Sequence, residues 1–431
     1  MSAAWLHVRN SPIRRALPVL IVVDLAVLFL RNRYWIGVWP ETGAAAQVPA
    51  YLLGIVGAGA AAWSAGEQQR HGLAEQLRAA RVHPMVSEAH RLGATVIVLL
   101  IPYLVGQAVA FAVTARTFPP GVHLWLGYAL LGLFAILLSV ALGWACGHLF
   151  GPVFAALAAA LGFLLLTAAL NRVGFVVISG RPEVAVDPLP LALRLGSVVA
   201  LLLVLLWLAA AGASGPAGRR TWALVPAVLP LVAVMLTTSV VADRAQPGDK
   251  VACVRGSTTL CIWPEHEKYL PQLRALDARI DQLPRAFVRP PRINEVGLQK
   301  TRYVGPDGKE YLGYEEGPPI FYILEGSPWS YAGDIGNAIT EATFGFRDTR
   351  ACDWQKITSS DEPRIWALGA WLEAFLAGGG SPDYHTNAPA PMQQAWAEGR
   401  AMAGDTSPAD QFRWAEGEVN DIRGRYCHSR R

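Results

Sequence analysis

Seven stretches of about twenty mainly apolar residues follow one another in the first 242 positions, near 16–34, 47–66, 93–115, 122–146, 150–171, 189–211 and 222–242. Lipid offers no hydrogen bonds to a backbone, so a crossing segment must satisfy its own N–H and C=O groups, which a helix does. The pattern predicts an all-α polytopic membrane bundle of about seven transmembrane helices over residues 1–242, in contact with membrane lipid. The second stretch is rich in small residues, with Gly54, Gly57 and Gly59, which suit close helix contact better than lipid contact. The first follows Arg14 and Arg15, contains Asp24, ends in Arg31 and Arg33 and lacks a small-residue cleavage site. It reads as a signal anchor that stays in the chain.

Charge divides the chain at the same place. Residues 1–242 hold 15 Arg, no Lys and 7 acidic residues, a net of +8, whereas 243–431 hold 22 Lys+Arg and 26 acidic residues, a net of −4. The slightly basic whole averages two unlike regions, and no basic stripe with interleaved aromatics is present, which argues against a nucleic-acid partner. Positively charged short loops tend to stay cytoplasmic. With the N-terminus inside, the inner segments carry Arg9, Arg14, Arg15, Arg70, Arg78, Arg81, Arg91, Arg219 and Arg220, and the outer short loops carry Arg33, Arg116, Arg172 and Arg181. Seven crossings from that start place residues 243–431 outside, as an extracytoplasmic domain.

Four of the five cysteines, Cys253, Cys261, Cys352 and Cys427, fall in that domain, and Cys146 lies in the fourth apolar stretch. An even number in an oxidising compartment fits two disulfides. Cys253 and Cys261 flank a hairpin-like Gly256-Ser257-Thr258, which favours their joining and leaves Cys352 for Cys427, although four cysteines admit three connectivities. Asp24 is the carboxylate well inside a span, where charge is costly enough to point to function, as part of a pathway or a gate. The competing reading is an ion pair with Arg31, two turns along the same helix face, or with Arg172 or Arg194 from another helix.

Between the second and third stretches lies a polar loop. Leu73 and Leu77 share one helical face, Glu75, Arg78 and Arg81 lie elsewhere, and Pro84 ends the run, which predicts a short amphipathic surface helix. With Glu67, Arg70, Gly72, Leu73, Glu75, Leu77, Pro84 and the run to Arg91, this loop resembles that of the permease subunits of ABC-2 type exporters. In that family the loop forms the coupling helix, so the resemblance implies docking on a separate ABC ATPase subunit through Arg70, Gly72, Leu73, Glu75, Leu77, Arg78 and Arg81. It also implies that two bundles, as a homo- or heterodimer, line a path. The chain has no G-x-x-x-x-G-K-[ST] loop to cradle ATP phosphates, so it is expected to be a transport subunit and not itself an enzyme, with no cofactor of its own. The family usually has six spans; the seventh and the outer domain are departures. The Ala- and Arg-rich, Lys-poor first half is similar to actinobacterial permease-like proteins with a C-terminal extracytoplasmic domain.

Residues 243–431 carry the pattern of an α+β soluble domain. Short strands are expected at Val251 to Val254, Leu260 to Trp263 and Ile320 to Leu324, with a turn at Gly305-Pro306-Asp307-Gly308 between two more. Helices are expected at Glu265 to Leu283 and near 329–344, 362–377, 389–403 and 408–424, the last opened by Ser407-Pro408. A zinc hydrolase would need paired His ligands with an intervening Glu. Gly333-Asp334-Ile335-Gly336-Asn337 lacks them, which leaves a site assembled from His266, Glu267 and His385 as the enzyme alternative; a sensor or scaffold without a path is the third reading. Trp366 and Trp371 share a helix with Leu368, Leu372 and Phe375 and are expected in the core.

Overall fold

Proline opens most helices of the apolar region, because its fixed φ and missing N–H suit a first turn whose donors have no partner inside the helix. In the computed structural model the helices are α1 (Ile13–Leu30), α2 (Trp39–Gln47), α3 (Pro49–Ala65), α4 (Pro84–Thr114), α5 (Val122–Leu149), α6 (Pro152–Leu170) and α7 (Pro188–Ala211). The structure describes residues 13–30, 33–66, 84–150, 152–170, 177, 180–211, 229, 232–233, 238–299, 301–304, 310–313, 319–324, 326–346, 352–353, 356–358, 360–379 and 388–427. The chain divides into two compact units, Met1–Asp243 and Arg244–Arg431.

Among the described residues, four helices are long and apolar enough to cross a membrane: Trp39–Ala65, Met85–Thr114, Val122–Leu149 and Pro188–Ala209. Of the expected seven, four meet that length and composition among the described residues. Arg14, Arg15 and Asp24 dilute α1, which has 18 residues, and the apolar part of α6 shortens to Phe154–Ala169. Most of 222–242 lies outside the described residues, and its end is not helical: β2 (Val241–Asp243) pairs antiparallel with β1 (Val184–Val186). The second stretch begins eight residues earlier than expected, since α2 and α3 run on through Val48, whose backbone is helical. Polar residues that ended the apolar window make contacts inside the bundle. Thr42 Oγ1 meets Thr114 Oγ1 at 2.8 Å, and Gln47 Oε1 accepts from the Val177 N–H at 3.1 Å.

α3 lies along α5 and α6. Gly143 and Gly147, four apart on α5, press against the Ala58 and Ala62 carbonyls of α3, so closely that a Cβ at either would overlap backbone. This is the small-residue contact that lets helices approach where no hydrophobic force draws them together. Outward, Phe154, Leu157, Leu161 and Leu165 of α6 and Leu193, Leu203 and Trp207 of α7 are exposed. Such apolar rows are what lipid contact requires and what water penalises.

The second unit holds a four-stranded sheet of β3 (Ala252–Arg255), β4 (Thr259–Ile262), β5 (Arg292–Glu295) and β8 (Ile320–Phe321), in that order. β3 and β4 are antiparallel, and the β4–β5 and β5–β8 pairs are parallel. β6 (Thr301–Val304) and β7 (Glu310–Gly313) form a separate hairpin. The helices are α8 (Leu270–Gln282), α9 (Pro328–Phe344), α10 (Glu362–Ala377), α11 (Ala390–Asp405) and α12 (Pro408–Tyr426). Ser407 caps α12, its hydroxyl accepting from the Asp410 N–H. The helix expected from Glu265 begins instead as a 3-10 segment, Pro264–Tyr269, and passes into α8 at Leu270-Pro271. Leu260, Ile262, Leu273, Ile280, Ile293 and Phe321 are fully buried between sheet and helices.

Candidate functional site

The predicted coupling segment, Arg70, Gly72, Leu73, Glu75, Leu77, Arg78 and Arg81, lies outside the described residues, but both of its flanks are described. Arg91 of α4 donates to Glu88 Oε1 at 2.9 Å and to the carbonyls of Ser64 and Ala65, which close α3. Its guanidinium stands 5.7 Å from the Trp144 ring of α5. One buried cation thus holds the end of α3 and the start of α4 together and satisfies carbonyls that a helix end leaves unpaired.

Asp24 belongs to a buried stripe of α1, with Leu20 and Leu28 one turn to either side. Its carboxylate rests against Gly106 of α4 and beside Tyr103, and among the described residues neither oxygen has a hydrogen-bond partner. Of the expected ion-pair partners, Arg31 and Arg172 lie outside the described residues. Arg194 does not serve: its Nη2 donates to the Thr238 carbonyl at 2.6 Å.

Cys253 is bonded to Cys261 and Cys352 to Cys427, and Cys146 is free. Cys253 and Cys261 face each other directly in the β3–β4 register.

Two of the three residues of the enzyme alternative are described, and they differ in surroundings. His266 is fully buried, with Nδ1 2.5 Å from Glu295 Oε1, whereas Glu267 is exposed and His385 lies outside the described residues. Glu295 also accepts from the Trp263 N–H at 2.8 Å, and Trp263 Nε1 donates to the Val296 carbonyl at 2.8 Å. Arg244 stacks on Trp263, 4.7 Å from its centroid, and pairs with Glu265 at 2.8 Å. This buried polar hub joins β4, the 3-10 segment and β5. Among the described residues no group of three or more His, Cys, Asp and Glu is placed to hold a metal.

An open cleft of this unit lies elsewhere. α9, α10 and α11 border a cleft of about 1250 Å³. Each helix presents residues at i, i+3 and i+7, which share one face: Asp334, Asn337 and Glu341 on α9; Trp366, Gly369 and Glu373 on α10; Gln393, Trp396 and Arg400 on α11. Tyr322 and Trp329 complete the wall next to α9. Asp334 Oδ2 accepts from the Tyr322 N–H at 2.8 Å. Burial, reinforced by the nearby Glu373 and opposed by that N–H, pushes the Asp334 carboxyl up to about 6. A carboxyl in this state exchanges a proton near neutral pH and gains most from a cation placed beside it.

Sequence reasoning missed this site because Gly333 to Asn337 fails as a metal motif, and because Trp366 and Trp371 look alike on paper. Trp371 is fully buried against Phe375, as expected, while Trp366, five residues earlier, turns to the cleft. The signal was the threefold repetition of polar and aromatic residues at i, i+3 and i+7.

No protein-family model matches the chain, and neither a curated protein nor a solved structure is detectably similar to it.

Proposed function

We propose that the chain is a permease-like membrane subunit of an ATP-driven exporter, carrying an extracytoplasmic domain that binds a ligand in the α9–α10–α11 cleft. The observation that carries this reading is the sorting of features between the two ends of the apolar bundle. At one end, Trp39 of α2 packs on Phe111 and Phe118, its Nε1 donates to the Pro119 carbonyl at 2.7 Å, and Phe111 meets Trp125 of α5. Gly180 rests on the Pro40 carbonyl and Gly127 on Val186 at that same end. The β1–β2 pair brings Asp243 there too, immediately before the unit that holds both disulfides. Aromatic residues gather where a bundle meets water, and disulfides persist on the oxidising side.

At the opposite end Arg91 clamps the two helices from which the segment 67–83 springs. The described flanks of the loop that resembles a coupling helix, Ala65 and Pro84, and Asp243, with which the first unit ends, therefore lie at opposite ends of the bundle, which suits an ATPase inside and a ligand outside. The resemblance of that loop supplies the exporter part of the reading, and the seven-crossing, N-inside topology is its corollary.

Two measurements test it. A tag after Arg431 should be cleaved by protease added to intact cells; protection would overturn the orientation. An ATP-hydrolysing subunit should co-purify with the chain and be lost when Leu73 and Leu77 are changed to Asp. A stable preparation that never retains an ATPase would overturn the exporter reading.

A further inference from the structure

Trp371 shows how a core tryptophan is held in this unit: it packs on Phe287, Phe375, Phe412 and Trp414, and its Nε1 donates to Gln411. Trp329, Trp366 and Trp396 are held differently. They come from α9, α10 and α11 and line one cleft, and among the described residues none of them has an aromatic partner or an acceptor for its indole N–H. Hydrogen-bonding atoms beside them are open in the same sense. Asp334 engages the Tyr322 N–H through Oδ2 at 2.8 Å and keeps Oδ1 open. Gln393 donates Nε2 to the Ala388 carbonyl at 2.6 Å and keeps Oε1 open. The side-chain amide of Asn337 and the guanidinium of Arg400 have no protein partner among the described residues. Glu341 and Glu373 have interactions of their own and are not among these open groups.

The cleft therefore sets open donors, the indole, amide and guanidinium N–H groups, and open acceptors, the amide and carboxylate oxygens, beside aromatic rings. A hydroxyl group donates and accepts at once, and the C–H face of a sugar ring packs on an aromatic side chain through many small dispersion contacts. An acyl chain would cover the same rings but take water from the polar groups without replacing it, which a buried donor or acceptor tolerates poorly. A proline-rich segment brings carbonyls but no N–H from its prolines, so Asp334 Oδ1 and Gln393 Oε1 would go unpaired. Size points the same way. About 1250 Å³ exceeds the roughly 300–1,000 Å³ of a site for one small molecule and suits several linked rings.

We propose that the α9–α10–α11 cleft is a binding site for a neutral oligosaccharide, with sugar rings packed on Trp366 and Trp396 and hydroxyls donating to Asp334 Oδ1 and Gln393 Oε1. Asn337 and Arg400 supply N–H donors to the sugar oxygens. The inference deepens the outer-domain reading and rests on it for the side of the membrane on which the sugar is met. Asp334 acts here as a hydrogen-bond acceptor, not as a counter-charge. Asp334→Asn keeps an oxygen at that place, whereas Asp334→Leu removes it.

The test uses the full chain in phosphatidylcholine nanodiscs, which carry no sugar, and titration calorimetry with maltohexaose, cellohexaose, mannohexaose and N-acetylchitohexaose. At least one hexasaccharide is expected to bind about tenfold or more tightly than its monosaccharide. Trp366→Ala and Trp396→Ala, checked for unchanged helicity by circular dichroism, should each weaken it about tenfold. Asp334→Asn should stay within about threefold of the native chain, and Asp334→Leu should lose about tenfold. A readout on the native chain keeps the inference falsifiable should the variants misfold: the hexasaccharide should shift the intrinsic tryptophan fluorescence, and the monosaccharide at equal concentration should not. Binding of none of the hexasaccharides, equal affinity for one of them and its monosaccharide, or tighter binding of a decaproline peptide would overturn the proposal. So would sugar binding that survives both tryptophan changes together, or a loss with Asp334→Asn as complete as with Asp334→Leu. Binding in nanodiscs does not depend on orientation in the cell. Absent sugar binding with an exposed tag therefore overturns the ligand class alone, and a protected tag with intact binding overturns the orientation alone.

Discussion

Asp334 and Asp361, both in the disulfide-bonded unit, are driven in opposite directions by their surroundings. Asp361 is buried and accepts from Tyr426 Oη at 2.6 Å and Arg364 Nη1 at 2.8 Å, with Arg425 at 3.1 Å; Tyr426 first, then Arg364, hold its carboxyl well below the usual range. Arg364 in turn reaches Glu418 and Asp421, so the start of α10 is tied to α12. A depressed carboxyl contributes stability that is present above its unfolded value, about 4, and is lost as pH falls below that. The unit should therefore lose thermal stability between about pH 4 and pH 2, and Asp361→Asn should flatten that acid limb in scanning calorimetry; an unaltered limb would show that Asp361 does not drive it. The buried hub yields a second prediction at this scale. Glu295→Ala leaves the His266 imidazole and the Trp263 N–H without their acceptor and should cost about 3 kcal/mol in denaturant unfolding followed by tryptophan fluorescence. A loss under about 0.5 kcal/mol, the range of an ordinary surface change, would mean that the hub is dispensable.

At the level of elements, what could be read in the chain depended on how well side-chain pattern reports burial. The helices α9 to α12 were legible because apolar positions recur at helical spacing and Ser407-Pro408 announces a start. β5 was not. Arg292, Ile293, Asn294 and Glu295 offer no alternating apolar signal, yet the strand is interior to the sheet, with Asn294 and Glu295 almost fully buried, because their polar groups find partners there. Buried polar residues hid α2 as well, where Glu41, Thr42 and Gln47 look like a loop but are buried within the bundle. In the opposite sense, Val241 has strand propensity that a hydropathy window counts as membrane helix, and it pairs with Val186. Asp24 was legible as an exceptional charge, but its lack of a hydrogen-bond partner among the described residues was not. The α3–α5 contact gives the element-scale prediction. Gly143→Leu should lower the melting temperature in detergent by several degrees, because the new side chain meets the Ala58 carbonyl and overpacking of this kind costs about 1–3 kcal/mol. Gly196→Leu on α7, where nothing lies within 4 Å of an added Cβ, should leave it unchanged; equal effects would contradict the tight contact.

For the whole molecule, the two units differ in what holds them. Both disulfides lie within Arg244–Arg431, and the cysteine of the first unit is free. Cys352–Cys427 spans a sequence separation of 75, for which chain-entropy reasoning gives about 4–5 kcal/mol of stabilisation. Reduction should therefore lower the unfolding transition of the second unit and leave that of the helical bundle in place, as read by calorimetry of the detergent-solubilised chain. A common downward shift of both transitions would show that the units do not unfold separately. The same bond closes a covalent ring that includes α10, α11 and α12 and excludes α9. Trp366, Trp396 and Arg400 are thus carried on one tethered jaw and Asp334 on the other. Glu362 and Glu373 ride inside the ring with Trp366 and Trp396, and Trp329 stands outside it with Asp334, so one wall of the cleft is closed by a covalent bond and the other is held to it by the packing of α9 on α10.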